Sequence, residues 1–112
     1  MRLPNAQAAI VAEEKIRDYL LKAAHPDNGS KAAFFLALGF SREEWATLAA
    51  ALRQMAERSE VAQRVVSPHG QKYVIDGRVE SPDGRHPLVR TIWIVDAGQD
   101  TPRLVTAYPH EE

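Results

Sequence analysis

The strongest constraint on the fold is a change in residue types near position 60. Residues 1–60 are rich in Ala and Leu, with apolar side chains three and four positions apart, whereas residues 61–109 are rich in Val, Ile, Tyr, Trp and Thr and are divided by Gly and Pro. The first pattern predicts helices and the second predicts strands. Because the helices precede the strands, we predict an α+β fold, with N-terminal helices packed on a three- to four-stranded antiparallel sheet. A length of 112 residues fits one domain over residues 1–112, helical over 1–60 and a strand meander over 61–109.

The first helix is predicted over residues 12–23, where Ile16, Tyr19 and Leu20 share one apolar face. The preceding residues 6–11 fit two structures, a short edge strand or the start of this helix. The sequence leaves these alternatives open.

The second and third helices have recognisable ends. Ser30 is the predicted N-cap of the second helix, which ends at Leu38 with Gly39 as a left-handed C-cap. Its residues are almost entirely apolar, which predicts that this helix is largely buried. Ser41-Arg42-Glu43-Glu44 is a capping box that starts the third helix. The predicted core stripe of this helix is Trp45, Leu48, Ala49, Leu52, Met55 and Ala56.

The second half predicts four strands, at residues 61–66, 71–80, 88–96 and 103–108. In the third strand, side-chain alternation places Arg90 on one face with Leu88, and Trp93 on the other face with Val89. An antiparallel sheet of this kind packs one face against the helices and leaves the other face available.

Composition excludes several classes of function. There is no Cys, so disulfides and cysteine nucleophiles are excluded. The formal net charge is −1, so the chain lacks the overall positive charge of a nonspecific nucleic-acid binder. No apolar run approaches the roughly 20 residues of a membrane span, so we expect a cytoplasmic protein without a membrane partner.

The loop before the second helix has the residues of an anion site. It contains His25, Gly29, Ser30 and Lys31, and a helix start adds free N–H groups and a partial positive charge. The leading glycine of a Walker loop is missing. The loop is therefore either a phosphate site or an ordinary capped turn.

Two further sets of polar residues lie in the strand half. Arg90, inside an apolar strand, either pairs with a carboxylate such as Asp76 or Glu80 or lies on a functional sheet face. Thr106 and Tyr108 share a face of the last strand, where they suit phosphate binding or are simply residues that strands favour.

The remaining histidines, His69, His86 and His110, lie in predicted turns or near the C-terminus. Each is either a proton-transfer group or a solvated loop residue. No pair has the i, i+4 spacing of a zinc helix, so we predict no metal site and no cofactor.

Nearly the whole chain resembles a widespread uncharacterised bacterial domain family. The residues that carry this resemblance are Lys15–Leu21, His25-Pro26, Gly29–Ala32, Phe34-Phe35, Leu38–Phe40, Lys72-Tyr73, Gly77, Arg90–Trp93 and Thr106–Pro109. The second half is also similar to the barnase–EndoU–colicin–RelE ribonuclease superfamily of bacterial toxin domains. Members of that superfamily pair N-terminal helices with a four-stranded antiparallel sheet, and their late strand often ends in a Thr-x-Tyr-Pro-like motif.

By position, this resemblance matches Thr106 and Tyr108 to the motif and Arg90 to the cationic residue of the preceding strand. It implies a metal-independent, toxin-like endoribonuclease in which the RNA 2′-OH attacks the adjacent phosphate. We expect Lys31 and Arg90 to neutralise charge on the phosphoryl oxygens and Thr106 to orient the phosphate.

The same hypothesis needs two proton transfers. We expect His25 to remove the 2′ proton, and Tyr108 or His69 to protonate the leaving oxygen. The expected partners are an RNA substrate and a cognate antitoxin or immunity protein.

Two alternatives remain from the sequence. One is a non-enzymatic binding module, such as an antitoxin, an immunity protein or an accessory domain. The other is a nucleotide-binding domain that uses the helix start at Gly29-Ser30-Lys31.

Overall fold

The computed structural model describes residues 1–23 and 29–110 and confirms the α+β class. The helices are α1 (Glu13–Lys15, continued by the π-helix Ile16–Leu20), α2 (Gly29–Ala37) and α3 (Trp45–Arg58). They precede the strands β1 (Val61–Ser67), β2 (Gly70–Arg78), β3 (Leu88–Asp96) and β4 (Arg103–Pro109), which form one antiparallel sheet in the order β1-β2-β3-β4. Within the described residues, no helix has the length and apolar character needed to cross a membrane.

One face of the sheet forms the core with the helices. Trp93 is fully buried there, and its indole N–H donates to Thr91 Oγ1 at 2.8 Å, while that hydroxyl donates to the Ile75 carbonyl at 3.0 Å. The predicted stripe of α3 is buried from Leu48 to Ala56, with Trp45 partly buried beside it. The alternation predicted for β3 is therefore confirmed, and Arg90 lies on the opposite, outer face.

The first helical segment differs from the prediction. The α-helical hydrogen bonds stop at Lys15, and the Leu21 N–H donates to the Ile16 carbonyl at 2.8 Å, five positions back. Residues 6–11 form neither predicted alternative, because Ala6–Ala8 form a separate 3₁₀ turn ahead of α1 and Ile10 makes a single parallel bridge with Arg103 of β4.

Two predictions for α2 are wrong. The helix begins at Gly29, so Ser30 lies inside the first turn and is not the N-cap. Ala33, Leu36 and Ala37 are exposed, because α2 buries mainly the stripe through Ala32, Phe35 and Leu38, with Phe34 partly buried against the core.

The C-cap of α2 is confirmed. Gly39 has φ of 97°, and its N–H donates to the Leu36 carbonyl, while the Phe40 N–H donates to the Phe35 carbonyl. These two hydrogen bonds form a Schellman motif. The Ser41 hydroxyl accepts from the Glu44 N–H at 3.2 Å, as predicted, although the regular helix α3 starts only at Trp45.

The sheet register places β4 beside the central strand β3. Arg90 pairs with Tyr108 and Ile92 with Thr106, and the register then shifts so that Trp93 pairs with Leu104. Val105 is the extra residue of this bulge. Because Ala107 between them is fully buried, Thr106 and Tyr108 lie on the outer face together with Arg90.

Candidate functional site

Three polar side chains from different elements meet at the β4 edge of the sheet. The Lys31 ammonium of α2 donates to the Tyr19 hydroxyl at 3.1 Å and to Thr106 Oγ1 at 3.3 Å. The Tyr19 and Thr106 hydroxyls are themselves 3.3 Å apart. The three groups therefore form a closed triangle that joins the helical half of the chain to β4.

Two aromatic rings and a second lysine surround this triangle. Lys31 Nζ lies 5.4 Å from the ring centroids of both Tyr19 and Tyr108, and Lys15 Nζ lies 4.8 Å from the Tyr19 centroid. The hydrogen bond with Thr106, followed by that with Lys31, lowers the pKa of the Tyr19 phenol, although partial burial acts in the opposite direction. The triangle thus favours negative charge on the Tyr19 oxygen.

Arg90 forms the second part of the site. Its Nε and Nη2 donate to the two carboxylate oxygens of Asp76 at 2.7 and 2.9 Å. This bidentate pair raises the pKa of Arg90 and lowers the pKa of Asp76. Of the two carboxylates considered from the sequence, Asp76 is the partner, whereas Glu80 lies 3.8 Å from Arg58. The Arg90 side chain nevertheless remains 31% exposed on the sheet face.

His110 completes this second part. Its Nε2 lies 3.5 Å from Arg90 Nη2 and 3.6 Å from Asp76 Oδ2. The backbone N–H of His110 donates to the Leu88 carbonyl at 3.0 Å, which extends the alignment of β4 with β3 beyond Pro109. The imidazole is therefore held beside the carboxylate and the guanidinium.

Tyr108 connects the two parts, because it lies near Lys31 and opposite Arg90 across the strands. We call the whole set the β4 cluster; its members are Tyr19, Lys31, Asp76, Arg90, Thr106, Tyr108 and His110. All seven side chains are partly buried. An open depression of ≈ 450 Å³, lined by Ser30, Lys31, Tyr108 and Pro109, lies beside it.

Four of the residues nominated from the sequence belong to this cluster, namely Lys31, Arg90, Thr106 and Tyr108. His69 does not belong to it. Gly70, next to His69, pairs with Asp96, whereas Asp76 pairs with Arg90, so the two ends of β2 are roughly 20 Å apart. His25 lies outside the described residues.

The sequence indicated only an apolar helix face for Tyr19 and left His110 open between proton transfer and solvation. The Tyr19 side chain packs against the core, as that face predicts, and its hydroxyl also contacts Thr106. Strand alternation predicts that His110 lies near Thr106 and Tyr108, because residues 106, 108 and 110 share one face of the strand. Over residues 1–23 and 29–110, no three His, Asp or Glu side chains are grouped in a way that holds a metal ion.

The fold is similar to that of a chain in a solved structure titled "Contact-dependent growth inhibition toxin - immunity protein complex from Klebsiella pneumoniae 342". The TM-score is 0.75 and the identity 18%, with 96% of this chain and 97% of that chain covered. At this identity the similarity shows a shared fold. No curated protein matches the sequence. The family model DUF6883, a domain of unknown function, matches residues 2–111, so the chain belongs to that family.

Proposed function

We propose that this protein is a metal-independent endoribonuclease of the toxin type. The observation that carries the proposal is the β4 cluster, in which Lys31 lies near the Tyr108 ring and beside the Thr106 hydroxyl, and Arg90 lies opposite Tyr108 on the neighbouring strand. Two cations, two hydroxyls and an imidazole on one accessible surface suit a phosphodiester, and none of these groups needs a metal. The shared fold with a chain from a toxin–immunity complex supports a toxin-related or immunity-type role.

In the proposed reaction the RNA 2′-OH loses its proton and its oxygen attacks the adjacent phosphorus. The bond from phosphorus to the 5′ oxygen breaks, and that oxygen gains a proton. The products are a 2′,3′-cyclic phosphate and a free 5′-OH. Negative charge grows on the phosphoryl oxygens during attack, so fixed cations stabilise the transition state more than the ground state.

Lys31 and Arg90 supply the positive charges that stabilise the phosphoryl oxygens. The Thr106 hydroxyl orients the phosphate. Arg90 donates to Asp76 through Nε and Nη2, so a phosphate approaches its remaining N–H groups. Asp76 in this arrangement holds the guanidinium in a fixed plane.

Two groups of the cluster suit protonation of the leaving oxygen, Tyr108 and His110. His110 carries an imidazole, the side chain most often used for proton transfer, and lies beside Arg90 and Asp76. From the sequence alone, His25 is the candidate for removal of the 2′ proton, and loss of cleavage in a His25→Ala variant tests that candidate.

A toxin-type enzyme also needs a cognate immunity protein, which is the partner we propose. The alternative, a binding module without enzymatic activity, is favoured by one observation: Asp76 already neutralises Arg90. Expression in bacteria separates the two functions, because growth arrest that Arg90→Ala relieves supports the nuclease, whereas normal growth with the wild type supports the binding module.

The direct test is cleavage of total RNA and tRNA by the purified protein in EDTA. We expect cleavage by the wild type and a loss of about 10²–10³-fold for Arg90→Ala. Arg103→Ala is the matched control, because Arg103 forms an equivalent bidentate pair with Asp96, at 2.8 and 3.1 Å, elsewhere on β3 and β4. Intact RNA with the wild type, or equal losses for both variants, would refute the proposal.

A further inference from the structure

We propose that Tyr19, as its phenolate, is the general base that removes the 2′ proton. This inference rests on the proposed nuclease function and names the catalytic base of the same site. It replaces the imidazole of His25 in that role with a group that the structure describes.

The first argument is position. The Tyr19 hydroxyl lies 3.1 Å from Lys31 Nζ and 3.3 Å from Thr106 Oγ1, the two groups that contact the phosphate in the proposed reaction. A base must lie within hydrogen-bond reach of the 2′-OH, which is next to that phosphate in RNA. Tyr19 therefore lies where the proton has to be taken.

The second argument is charge. Lys31 faces Tyr19 from α2, Lys15 lies over its ring from the same helical segment, and Thr106 faces it from β4. The two lysines favour the phenolate over the neutral phenol. The lowered pKa of Tyr19 is consistent with this arrangement.

The third argument is the division of roles. His110 lies against Asp76 and Arg90, whereas Tyr19 lies against Lys31 and Thr106. A base beside Lys31 and an acid beside Arg90 flank one phosphate from two sides, as in-line displacement requires.

The step balances without an added reactant. The Tyr19 oxygen accepts the 2′ proton, the 2′ oxygen bonds to phosphorus, and the bond to the 5′ oxygen breaks. His110 as imidazolium, or Tyr108, protonates that oxygen. Tyr19 then returns its proton to water.

The test compares Tyr19→Phe, which keeps the ring, with Tyr73→Phe. Tyr73 is the matched control because its hydroxyl donates to Gln71 at 2.8 Å and its ring is buried on the inner face, away from the β4 cluster. We expect Tyr19→Phe to lower kcat by about 10²–10⁴-fold and Tyr73→Phe to leave it unchanged.

A measurement without RNA tests the same group. The ultraviolet absorbance of tyrosinate, taken as the difference between wild type and Tyr19→Phe, gives the pKa of Tyr19. We expect a value below the ordinary tyrosine pKa of about 10, and a higher value in Lys31→Met.

The outcomes separate the two proposals. A wild type that leaves all RNA intact overturns the nuclease function. Cleavage by the wild type with an equal rate for Tyr19→Phe, or a Tyr19 pKa at or above its ordinary value, overturns only the assignment of Tyr19 as the base.

Discussion

Lys31 Nζ lies 3.3 Å from Thr106 Oγ1, although 75 positions separate the two residues in the chain. This contact joins the first turn of α2 to the edge strand β4. It also fixes the position of the Lys31 ammonium relative to the outer sheet face that carries Arg90.

Replacement of Lys31 by Met tests the role of that cation. The variant keeps the aliphatic stem but removes the charge and both hydrogen bonds, so we expect RNA cleavage to fall about 10²–10³-fold while the fold is retained. Initial rates with a labelled RNA give the effect. Lys72→Met is the control, because Lys72 is exposed on the outer face of β2 and pairs with Ile94, at the other end of the sheet from Arg90. Equal rates for the two variants would exclude Lys31 from the site.

The buried hydroxyl of Thr91 is expected to stabilise the core. Thr91→Val keeps the shape but leaves the Trp93 indole N–H and the Ile75 carbonyl without this partner, which should cost about 1–3 kcal/mol of unfolding free energy. Urea denaturation measures the loss. Thr101→Val is the control, because the Thr101 hydroxyl donates to the neighbouring Asp100 carboxylate at the surface, and it should change stability far less. A Thr91→Val variant as stable as the wild type would contradict this account.

Asp83 makes stability depend on acid pH. Hydrogen bonds from the Ser81 hydroxyl, then from the Arg85 backbone N–H and side chain, lower the pKa of Asp83 from 3.8 to about 2. Because the folded pKa is lowered, its contribution is fully present above about pH 4 and is lost as the pH falls toward 2.

The corresponding measurement is the difference in Tm between wild type and Asp83→Asn across that pH range. We expect the difference to be largest above pH ~4 and to shrink as the pH falls. Ser81→Ala, which removes the largest cause of the shift, should flatten the dependence; a difference that grows on acidification would contradict the assignment.

Gly77 of β2 is expected to tolerate no larger side chain. A Cβ at this position would lie 2.5 Å from Ser59 Oγ and 2.8 Å from Met55 Cγ, so Gly77→Ala forces the side chains of Ser59 and Met55 to shift. We expect a loss of about 1–3 kcal/mol by urea denaturation. Adding Ser59→Gly removes the closest atom and should restore part of the stability; no recovery in the double variant would place the cost elsewhere.

Most of the fold follows from local periodicity. The predicted strand at residues 88–96 agrees with β3 at both ends, and the α3 stripe is buried as predicted, because alternation and helical spacing record which side of an element avoids water. The burial of α2 was overpredicted because an apolar sequence does not show how many sides of the helix another layer covers. The N-cap prediction at Ser30 is wrong because the helix already begins at Gly29.

Less of the candidate site than of the fold could be predicted from the sequence. Alternation along the sequence was enough to place Arg90 on one face of its strand, and Thr106 and Tyr108 together on one face of theirs. The register of β2, β3 and β4 decided that Asp76 is the partner of Arg90 and that His110 joins them. The docking of α2 and of the π-helical turn brought Lys31 and Tyr19 to Thr106. These are contacts between residues far apart in the chain, and they form because burial of the apolar faces brings their polar neighbours together, which no local pattern records.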